Sequence, residues 1–183
     1  MEMISDILAR YSTDKVNPHT YGGTYNYLFK DFDRSAPLNI LEIGVQKGGS
    51  LCAWADYFPN ATVTGIDIAD QVLPEYRRKE INYIFQDIND YKTDTKFDII
   101  IDDGSHYLKD VARSVSLLSR NLTVGGIFII EDVQFPDTLI PMVNDILNPN
   151  WDYNGDFRWM VSYYNHSIPG LEDDFLFIIK RKI

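Results

Sequence analysis

The sequence predicts an α/β fold: a doubly wound, mostly parallel seven-stranded sheet that ends in a C-terminal antiparallel hairpin. Strand-like and helix-like segments alternate from Leu38 onward, which is typical of parallel strands joined by right-handed crossovers. The runs Ile99–Ile101 and Gly126–Ile130 contain only apolar residues and glycine, as expected of central strands covered on both faces. Near the C-terminus two strand-like segments follow each other without a helix between them, which indicates an antiparallel pair at one edge of the sheet.

The first 36 residues precede the predicted sheet and contain two helices and a loop. Apolar residues recur at helical spacing in Ile4–Tyr11 and in Tyr25–Phe32. Between them, Ser12–Gly23 is rich in polar, glycine and proline residues. This segment is compatible with a plain helix connector and equally with an ordered loop that binds a ligand. We expect it to belong to the same single domain as the core, residues 37–183.

The core is predicted from β-branched and apolar runs bounded by turn residues, and from helical spacing of apolar residues between those runs. The predicted strands are Leu38–Ile43, Thr62–Ile66, Ile81–Phe85, Phe97–Ile101, Gly126–Ile130, Phe157–Tyr164 and Phe175–Lys180. The predicted helices are Gly49–Phe58, a short one around Tyr76, Leu108–Leu118 and Pro136–Leu147. Most C-terminal aromatic residues are expected to pack in the core or on the edge strand, and a minority to line a ligand pocket. These residues are Trp151, Tyr153, Phe157, Trp159, Tyr163 and Tyr164.

The composition argues against binding of polyanions. The 183 residues carry 17 Lys and Arg against 27 Asp and Glu, a formal net charge of -10, with a pI of about 4.6. Nucleic-acid binding gains affinity from neutralised phosphates, so this charge favours a small or neutral substrate. No apolar stretch reaches the roughly 20 residues of a membrane-spanning helix, and the N-terminus has no basic region followed by an apolar one. With Cys52 as the single cysteine, we expect a reduced, cytoplasmic protein. Assembly into a homo-oligomer stays open at this point.

A glycine-rich turn between the first core strand and its helix predicts a nucleotide-type pocket. Gly44 follows the strand, Gly48 and Gly49 lie where the helix presents free N–H groups, and Ser50 follows them. The spacing differs from the first, third and sixth glycines of a dinucleotide-binding turn, which disfavours an NAD-dependent dehydrogenase. Glu42 lies just before the turn, where a carboxylate would repel a phosphate but would suit the cationic amino-acid part of a ligand.

Two further acidic residues follow the next two strands. Asp67 lies about twenty residues beyond the glycine turn, the spacing at which an acid binds ribose hydroxyls. Asp87 comes after the third strand, where it could accept a hydrogen bond from the exocyclic amine of adenine. Each residue alone could instead cap a helix. Their common register with the glycine turn favours ligand binding.

Two acidic clusters end neighbouring apolar strands: Asp102 and Asp103 follow one, Glu131 and Asp132 the other. Carboxyl ends of parallel strands meet at one edge, so we expect these carboxylates to lie together. Their mutual repulsion requires either raised pKa values or a bound divalent cation, and we favour the cation. Adjacent residues on an extended segment point to opposite faces, so we expect Asp103 at the cation and Asp102 capping or pairing elsewhere. His106 is a candidate proton acceptor, or else a histidine that bonds local backbone groups.

These features together resemble the class I S-adenosylmethionine-dependent methyltransferases, which implies a Rossmann-like sheet. More closely, four blocks are similar to the metal-dependent sugar O-methyltransferases of macrolide biosynthesis, the mycinamicin and demethylmacrocin type. The blocks are Thr13–Lys15 with His19 and Tyr21, Leu41–Val45, Asp102–His106 and Ile130–Asp132.

The resemblance implies roles for individual residues. It implies metal ligation by Asp103, Glu131 and Asp132, with His106 as the general base. The implied cofactors are S-adenosyl-L-methionine and Mg²⁺, or Mn²⁺ in its place. The candidate cofactor-binding residues are Thr13, Lys15, Tyr21, Glu42, Gly44, Gly48, Ser50, Asp67, Asp87 and Asp103.

The implied activity is methylation of a hydroxyl group on a sugar or a glycosylated small molecule. Two alternatives stay open at this point: a catechol-type O-methyltransferase, and a non-catalytic S-adenosylmethionine-binding protein whose carboxylates are structural. The chain is short for the family, so we expect it to lack the additional N-terminal domain of some relatives.

Overall fold

The computed structural model of the protein describes residues 2–148, 158–167 and 174–182, which include a seven-stranded sheet. The strands are β1 (Asn39–Ile43), β2 (Thr62–Asp67), β3 (Ile81–Phe85), β4 (Phe97–Asp102), β5 (Leu122–Ile130), β6 (Trp159–Asn165) and β7 (Phe175–Arg181). Their order across the sheet is β3-β2-β1-β4-β5-β7-β6. The first five strands pair in parallel, whereas β7 pairs antiparallel with both β5 and β6. The predicted fold class is therefore confirmed, including its antiparallel C-terminal pair.

Helices cover both faces of the sheet. In the described part of the chain they are α1 (Ile4–Arg10), α2 (Gly22–Phe29), α3 (Gly49–Tyr57), α4 (Leu108–Leu118) and α5 (Pro136–Leu147). Because strand residues alternate between faces, Ile40, Ile99 and Ile127 pack with α1 to α3, while Leu41 and Ile100 pack with α4 and α5. No helix in the described ranges combines the length and apolar character needed to cross a membrane.

Some elements begin at positions other than those predicted. α2 runs from Gly22 to Phe29 rather than from Tyr25 to Phe32, and Gly22 packs so closely on α1 that a Cβ there would lie 2.9 Å from Ser5 Cβ. β5 begins at Leu122 rather than Gly126, and the short helix is a 3₁₀ turn over Pro74–Tyr76. Three of the C-terminal aromatic residues lie outside the described residues: Trp151, Tyr153 and Phe157.

Main-chain hydrogen bonds extend the sheet to its carboxyl edge. The amide of Gly44 donates to the carbonyl of Ile66 at 2.9 Å, and the amide of Asp103 donates to the carbonyl of Ile43 at 2.9 Å. These bonds fix the glycine turn and the first acidic segment side by side. The edge is therefore shaped by the ladder of the sheet itself.

Candidate active site

A cavity of about 810 Å³ lies at the carboxyl edge of the parallel strands. It is enclosed by the turns that follow β1 to β4, by part of the loop between α1 and α2, and by Asp132 after β5. This is the edge at which doubly wound sheets bind ligands. Most residues proposed from the sequence line it: Thr13, Lys15, Gly44, Gly48, Ser50, Asp67, Asp87, Asp103, His106 and Asp132. The remaining three lie outside its lining: Tyr21, Glu42 and Glu131.

Gly44 and Gly48 shape the turn between β1 and α3. Gly44 has a φ of +87°, and a Cβ at this position would lie 2.0 Å from the carbonyl oxygen of Asp103, so no larger residue fits. Gly48 has a φ of +88° and precedes α3 without any side-chain cap. The first turn of α3 lines the cavity and therefore has N–H groups available to polar atoms of a ligand.

Asp67 and Asp87 line the cavity, and both accept hydrogen bonds from backbone amides. Asp67 Oδ2 accepts from the amides of Val45 at 2.8 Å and Gln46 at 3.0 Å, which holds the glycine turn against β2. Asp87 Oδ1 accepts from the amide of Asn89 at 2.8 Å and thus caps a 3₁₀ turn, the alternative that its sequence position left open. Contact of either carboxylate with a ligand stays a prediction.

Lys15 lies at the centre of three carboxylates. Its Nζ is 2.5 Å from Asp103 Oδ2, 2.8 Å from Glu131 Oε1 and 3.5 Å from Glu42 Oε1, and the side chain is 1% exposed. Burial alone would lower the pKa of Lys15, but the attraction of Asp103, Glu131 and Glu42 outweighs it and raises the pKa well above its usual range. Lys15 is therefore a permanently charged counter-ion inside the site.

Glu42 and Glu131 lie behind the cavity wall because of strand alternation. Both carboxylates are directed to the face of the sheet that packs with α1 to α3. Glu42 accepts from the hydroxyl of Ser50 at 2.9 Å and the indole N–H of Trp54 at 3.0 Å. Glu131 accepts from the hydroxyl of Tyr25 at 2.5 Å. Burial raises the pKa of Glu42 to about 7 and raises the pKa of Glu131 as well.

Asp102 and Asp103 point in different directions, as expected. Asp102 accepts from the hydroxyl of Ser114 and from the amide of Gly104, and burial raises the pKa of Asp102 to about 6. Burial would also raise the pKa of Asp103, but the ammonium of Lys15 outweighs it and holds that pKa below its usual range. Asp103 therefore stays ionised to a lower pH than Asp102.

Asp103, His106 and Asp132 form the part of the acidic cluster that opens into the cavity. His106 Nε2 lies 3.2 Å from Asp103 Oδ1 and 3.8 Å from Asp132 Oδ2. The bond to Asp103 raises the pKa of His106, and burial raises the pKa of Asp132. His106 and Asp132 have φ values of +60° and +53°, a left-handed backbone that costs energy outside glycine and clusters at ligand sites.

The ligand atoms of Asp103, His106 and Asp132 lie within 4.8 Å of one another, which fits a divalent cation. The carboxylate oxygens of Asp103 and Asp132 are the kind of ligand that Mg²⁺ and Mn²⁺ prefer. Glu131, which the resemblance implies as a third ligand, belongs to no such group among the described residues. Its carboxylate is directed toward Lys15 instead.

A second cluster joins the loop between α1 and α2 to the start of β7. His19 Nδ1 bonds Asp174 Oδ1, and the hydroxyl of Tyr21 donates to Asp132 Oδ1 at 2.5 Å and to Asp174 Oδ1 at 3.1 Å. Within the described ranges, Asp174 Oδ2 is buried without a hydrogen-bond partner. Sequence reasoning did not identify Asp174, because 153 residues separate it from Tyr21 and no motif links them.

Comparisons with known proteins agree with this geometry. Residues 40–126 match the model of a methyltransferase domain. The chain is 32% identical over 145 residues to the 8-demethyl-8-alpha-L-rhamnosyl tetracenomycin-C 2'-O-methyltransferase of Streptomyces olivaceus, covering 72% of this chain and 38% of that protein. It is 34% identical over 145 residues to the mycinamicin VI 2''-O-methyltransferase of Micromonospora griseorubida, covering 71% of this chain and 36% of that protein.

A solved structure shares the fold. It is the MycE methyltransferase of the mycinamycin pathway in complex with Mg, SAH and mycinamycin VI, with a TM-score of 0.77 and 24% identity, covering 99% of this chain and 55% of that one. The chain thus spans less than two fifths of the length of the two relatives named above. The chain therefore contains a methyltransferase domain, matched over residues 40–126, and it is similar to the O-methyltransferases of the tetracenomycin and mycinamicin pathways named above.

Proposed function

We propose that the protein is an S-adenosylmethionine- and Mg²⁺-dependent O-methyltransferase that acts on a hydroxyl of a sugar or a glycosylated small molecule. One observation carries the proposal: a single cavity runs from the glycine turn and Asp67 to the group of Asp103, His106 and Asp132. A methyl donor and a hydroxyl acceptor can therefore meet within it. The relatives that methylate sugar hydroxyls support the choice of acceptor.

The glycine turn and the ends of β2 and β3 suit the donor. Gly44 and Gly48 line the cavity and let the turn lie close against Asp103 and Val72, and the uncapped start of α3 offers N–H donors. Asp67 and Asp87 place carboxylates in the same part of the cavity, where ribose hydroxyls and an adenine amine would be recognised. Thr13 and Ser50 also line this part of the cavity.

The acidic part of the cavity suits activation of the acceptor. When bound, S-adenosylmethionine would supply the methyl group and Mg²⁺ would orient and acidify the acceptor hydroxyl. Asp103 and Asp132 would hold the ion through carboxylate oxygens that face the cavity. In neutral His106, Nε2 donates to Asp103 and leaves Nδ1 to accept the hydroxyl proton. The carboxylate of Asp103 fixes the ring orientation and stabilises the imidazolium that results.

Two measurements test this proposal. Calorimetric titration with S-adenosylhomocysteine tests donor binding, and no heat from a folded protein would remove the methyltransferase proposal. Turnover is then measured on a panel of glycosides and catechols with Mg²⁺, with EDTA, and for Asp103→Ala. We expect glycoside methylation that EDTA and the substitution both abolish. Catechol turnover alone would favour the catechol-type alternative, and donor binding without any product would favour a non-catalytic binding protein.

A further inference from the structure

Tyr11 lies where α1 ends and the loop between α1 and α2 begins, and it lines the cavity together with Ser12 and Thr13. The loop starts directly against the glycine turn: a Cβ on Gly49 would lie 2.8 Å from the carbonyl oxygen of Tyr11. Ser12 has a φ of +50°, a left-handed backbone that costs energy outside glycine. Contacts around Tyr11 must therefore hold the start of the loop in this conformation.

The side chains of Tyr11, Asp56 and Arg78 form a hydrogen-bonded network, which we call the clasp. The hydroxyl of Tyr11 donates to Asp56 Oδ2 at 2.6 Å and accepts from Arg78 Nη2. Arg78 Nη1 donates to Asp56 Oδ1 at 2.7 Å. Asp56 lies in the last turn of α3, and Arg78 comes two residues after the 3₁₀ turn Pro74–Tyr76. The clasp thus joins three segments that are distant in sequence.

The groups of the clasp have the charge states that strengthen these bonds. Burial would raise the pKa of Asp56, but the bonds from Arg78 and Tyr11 outweigh it and hold that pKa below its usual range. Burial and the bond to Asp56 raise the pKa of Tyr11, so its hydroxyl keeps the proton that it donates. Hydrogen bonds to ionised groups are stronger than those between neutral groups. The clasp is therefore a stronger tether than a single neutral hydrogen bond.

The network reaches a second wall of the cavity through Tyr76. The hydroxyl of Tyr76 donates to the carbonyl oxygen of Tyr11 at 3.2 Å, and the two rings meet edge to face with their centroids 5.7 Å apart. Tyr76 lines the cavity, whereas Asp56 and Arg78 lie outside its lining. Tyr11 therefore connects two charged residues outside the cavity to two walls of the part that suits the donor.

We infer that Asp56 and Arg78 are positioning residues for the methyl donor: through the hydroxyl of Tyr11 they hold the start of the loop between α1 and α2 against the first turn of α3. The inference rests on the proposed function, which places the donor beside that turn. A molecule whose loop has moved away lacks one wall of the donor site. The apparent dissociation constant is then the intrinsic one divided by the fraction of molecules that have the loop in place.

Calorimetric titration with S-adenosylhomocysteine tests this inference on the wild type, Asp56→Ala, Tyr11→Phe and the double variant Tyr11→Phe/Asp56→Ala. Tyr11→Phe removes only the hydroxyl and keeps the ring that meets Tyr76. We expect each single substitution to raise the dissociation constant by about three- to tenfold, which corresponds to a loop that is in place in about a third to a tenth of the variant molecules. The double variant should bind about as well as the single ones, because both substitutions break the same connection.

Asp70→Ala is the matched control. Asp70 pairs with Arg77, the residue before Arg78, and neither member of this pair lines the cavity. The S-adenosylhomocysteine dissociation constant should change by less than about twofold in this variant. Hydrogen exchange of the ligand-free proteins gives a second measurement. Amides of residues 12–21 should exchange faster in Asp56→Ala and Tyr11→Phe than in the wild type and Asp70→Ala, without faster exchange in β1 and β4.

The outcomes separate this inference from the proposed function. Wild-type affinity in Asp56→Ala and Tyr11→Phe would overturn the inference and leave the proposed function intact, and so would losses that multiply in the double variant. Absence of S-adenosylhomocysteine binding by the wild type would instead remove the donor from the proposed function, and this inference with it. Circular dichroism of each variant checks the fold. If Asp56→Ala does not fold, Arg78→Gln takes its place in the same comparison with Tyr11→Phe.

Discussion

The two ends of the cavity are held together by different kinds of partners. At the nucleotide end, defined by Gly44, Gly48, Asp67 and Asp87, the carboxylates accept from backbone amides of nearby turns. At the acidic end, defined by Asp103, His106, Glu131 and Asp132, the carboxylates accept from side chains of the N-terminal segment. These side chains are Lys15, Tyr21 and Tyr25. A backbone N–H donor remains after most substitutions, whereas a side-chain donor is lost when its residue is replaced. The acidic end should therefore be more sensitive to single substitutions than the nucleotide end.

The largest effect on stability is expected from Lys15→Met. This change leaves Asp103, Glu131 and Glu42 without their shared cation, and loss of one partner of a buried ion pair typically costs about 3–5 kcal/mol. Urea unfolding at neutral pH measures the loss. The control is Lys47→Met at the nucleotide end, an exposed lysine that lines the same cavity and should change stability by about 0.5 kcal/mol or less. Similar losses of stability in both variants would contradict the expected difference between the two ends of the cavity.

The largest effect on catalysis is expected from His106→Ala. Loss of a general base lowers turnover by about 10²–10⁴-fold. S-adenosylhomocysteine affinity should change little, because the proposed donor site lies at the other end of the cavity. Asp103 raises the pKa of His106, and only the neutral ring accepts a proton, so wild-type turnover should rise with pH through a value above 6.5.

His166→Ala is the matched control for this prediction. His166 lies outside the cavity lining and bonds the hydroxyls of Thr20 and Thr24. We expect it to keep both turnover and the rising pH profile. A fall in donor affinity that matched the fall in turnover of His106→Ala would show that the two ends are not separable.

The same contrast explains what the sequence could predict. The glycine turn, Asp67 and Asp87 follow strands at regular spacing, so their common edge can be inferred from the pattern of the core. The position of Lys15 could not be inferred from that pattern, because it depends on how a loop before the sheet folds back over β4 and β5. The resemblance identified Lys15 as a site residue but not its partners.

Strand alternation accounts for the directions in which the carboxylates after β4 and β5 point. The sequence predicted that Asp102 and Asp103 diverge, and they do. The same rule applies to Glu131, which continues the face of Ile127 and Ile129 toward α1 to α3. Asp174 had no signal at all, since its contacts with His19 and Tyr21 are purely tertiary.

Glu42 gives a smaller effect that depends on pH. Burial raises the pKa of Glu42 to about 7 from an ordinary value of 4.5, so between these values the folded state holds a proton that the unfolded state has lost. The contribution of this proton to the free energy of unfolding is fully present below pH 4.5 and is lost as the pH rises through 7. Its upper bound is about 3 kcal/mol.

Glu42→Gln should therefore lose less stability between pH 5 and pH 8 than the wild type, as measured by urea unfolding at about those two values. Asp102, whose pKa is also raised by burial, titrates in both proteins and cancels from the difference. The same pH dependence in both proteins would contradict the prediction and would mean that Lys15 keeps Glu42 ionised throughout this range.

The smallest effect is expected at Asp87, where the comparison between the two ends can be sharpened with a pair of substitutions. Asp87→Ala removes the cap of the 3₁₀ turn and should cost about 1 kcal/mol or less in urea unfolding, whereas Asp87→Asn retains a capping oxygen and should cost less than that. Asparagine keeps the acceptor but loses the charge, so S-adenosylhomocysteine affinity should fall by up to about tenfold in the alanine variant and less in the asparagine variant. If both variants bind S-adenosylhomocysteine as the wild type does, Asp87 is only a cap. Donor recognition would then rest on Asp67 and the amides of the glycine turn. Binding at the nucleotide end would depend still more on backbone groups, and single side-chain substitutions there would affect it still less.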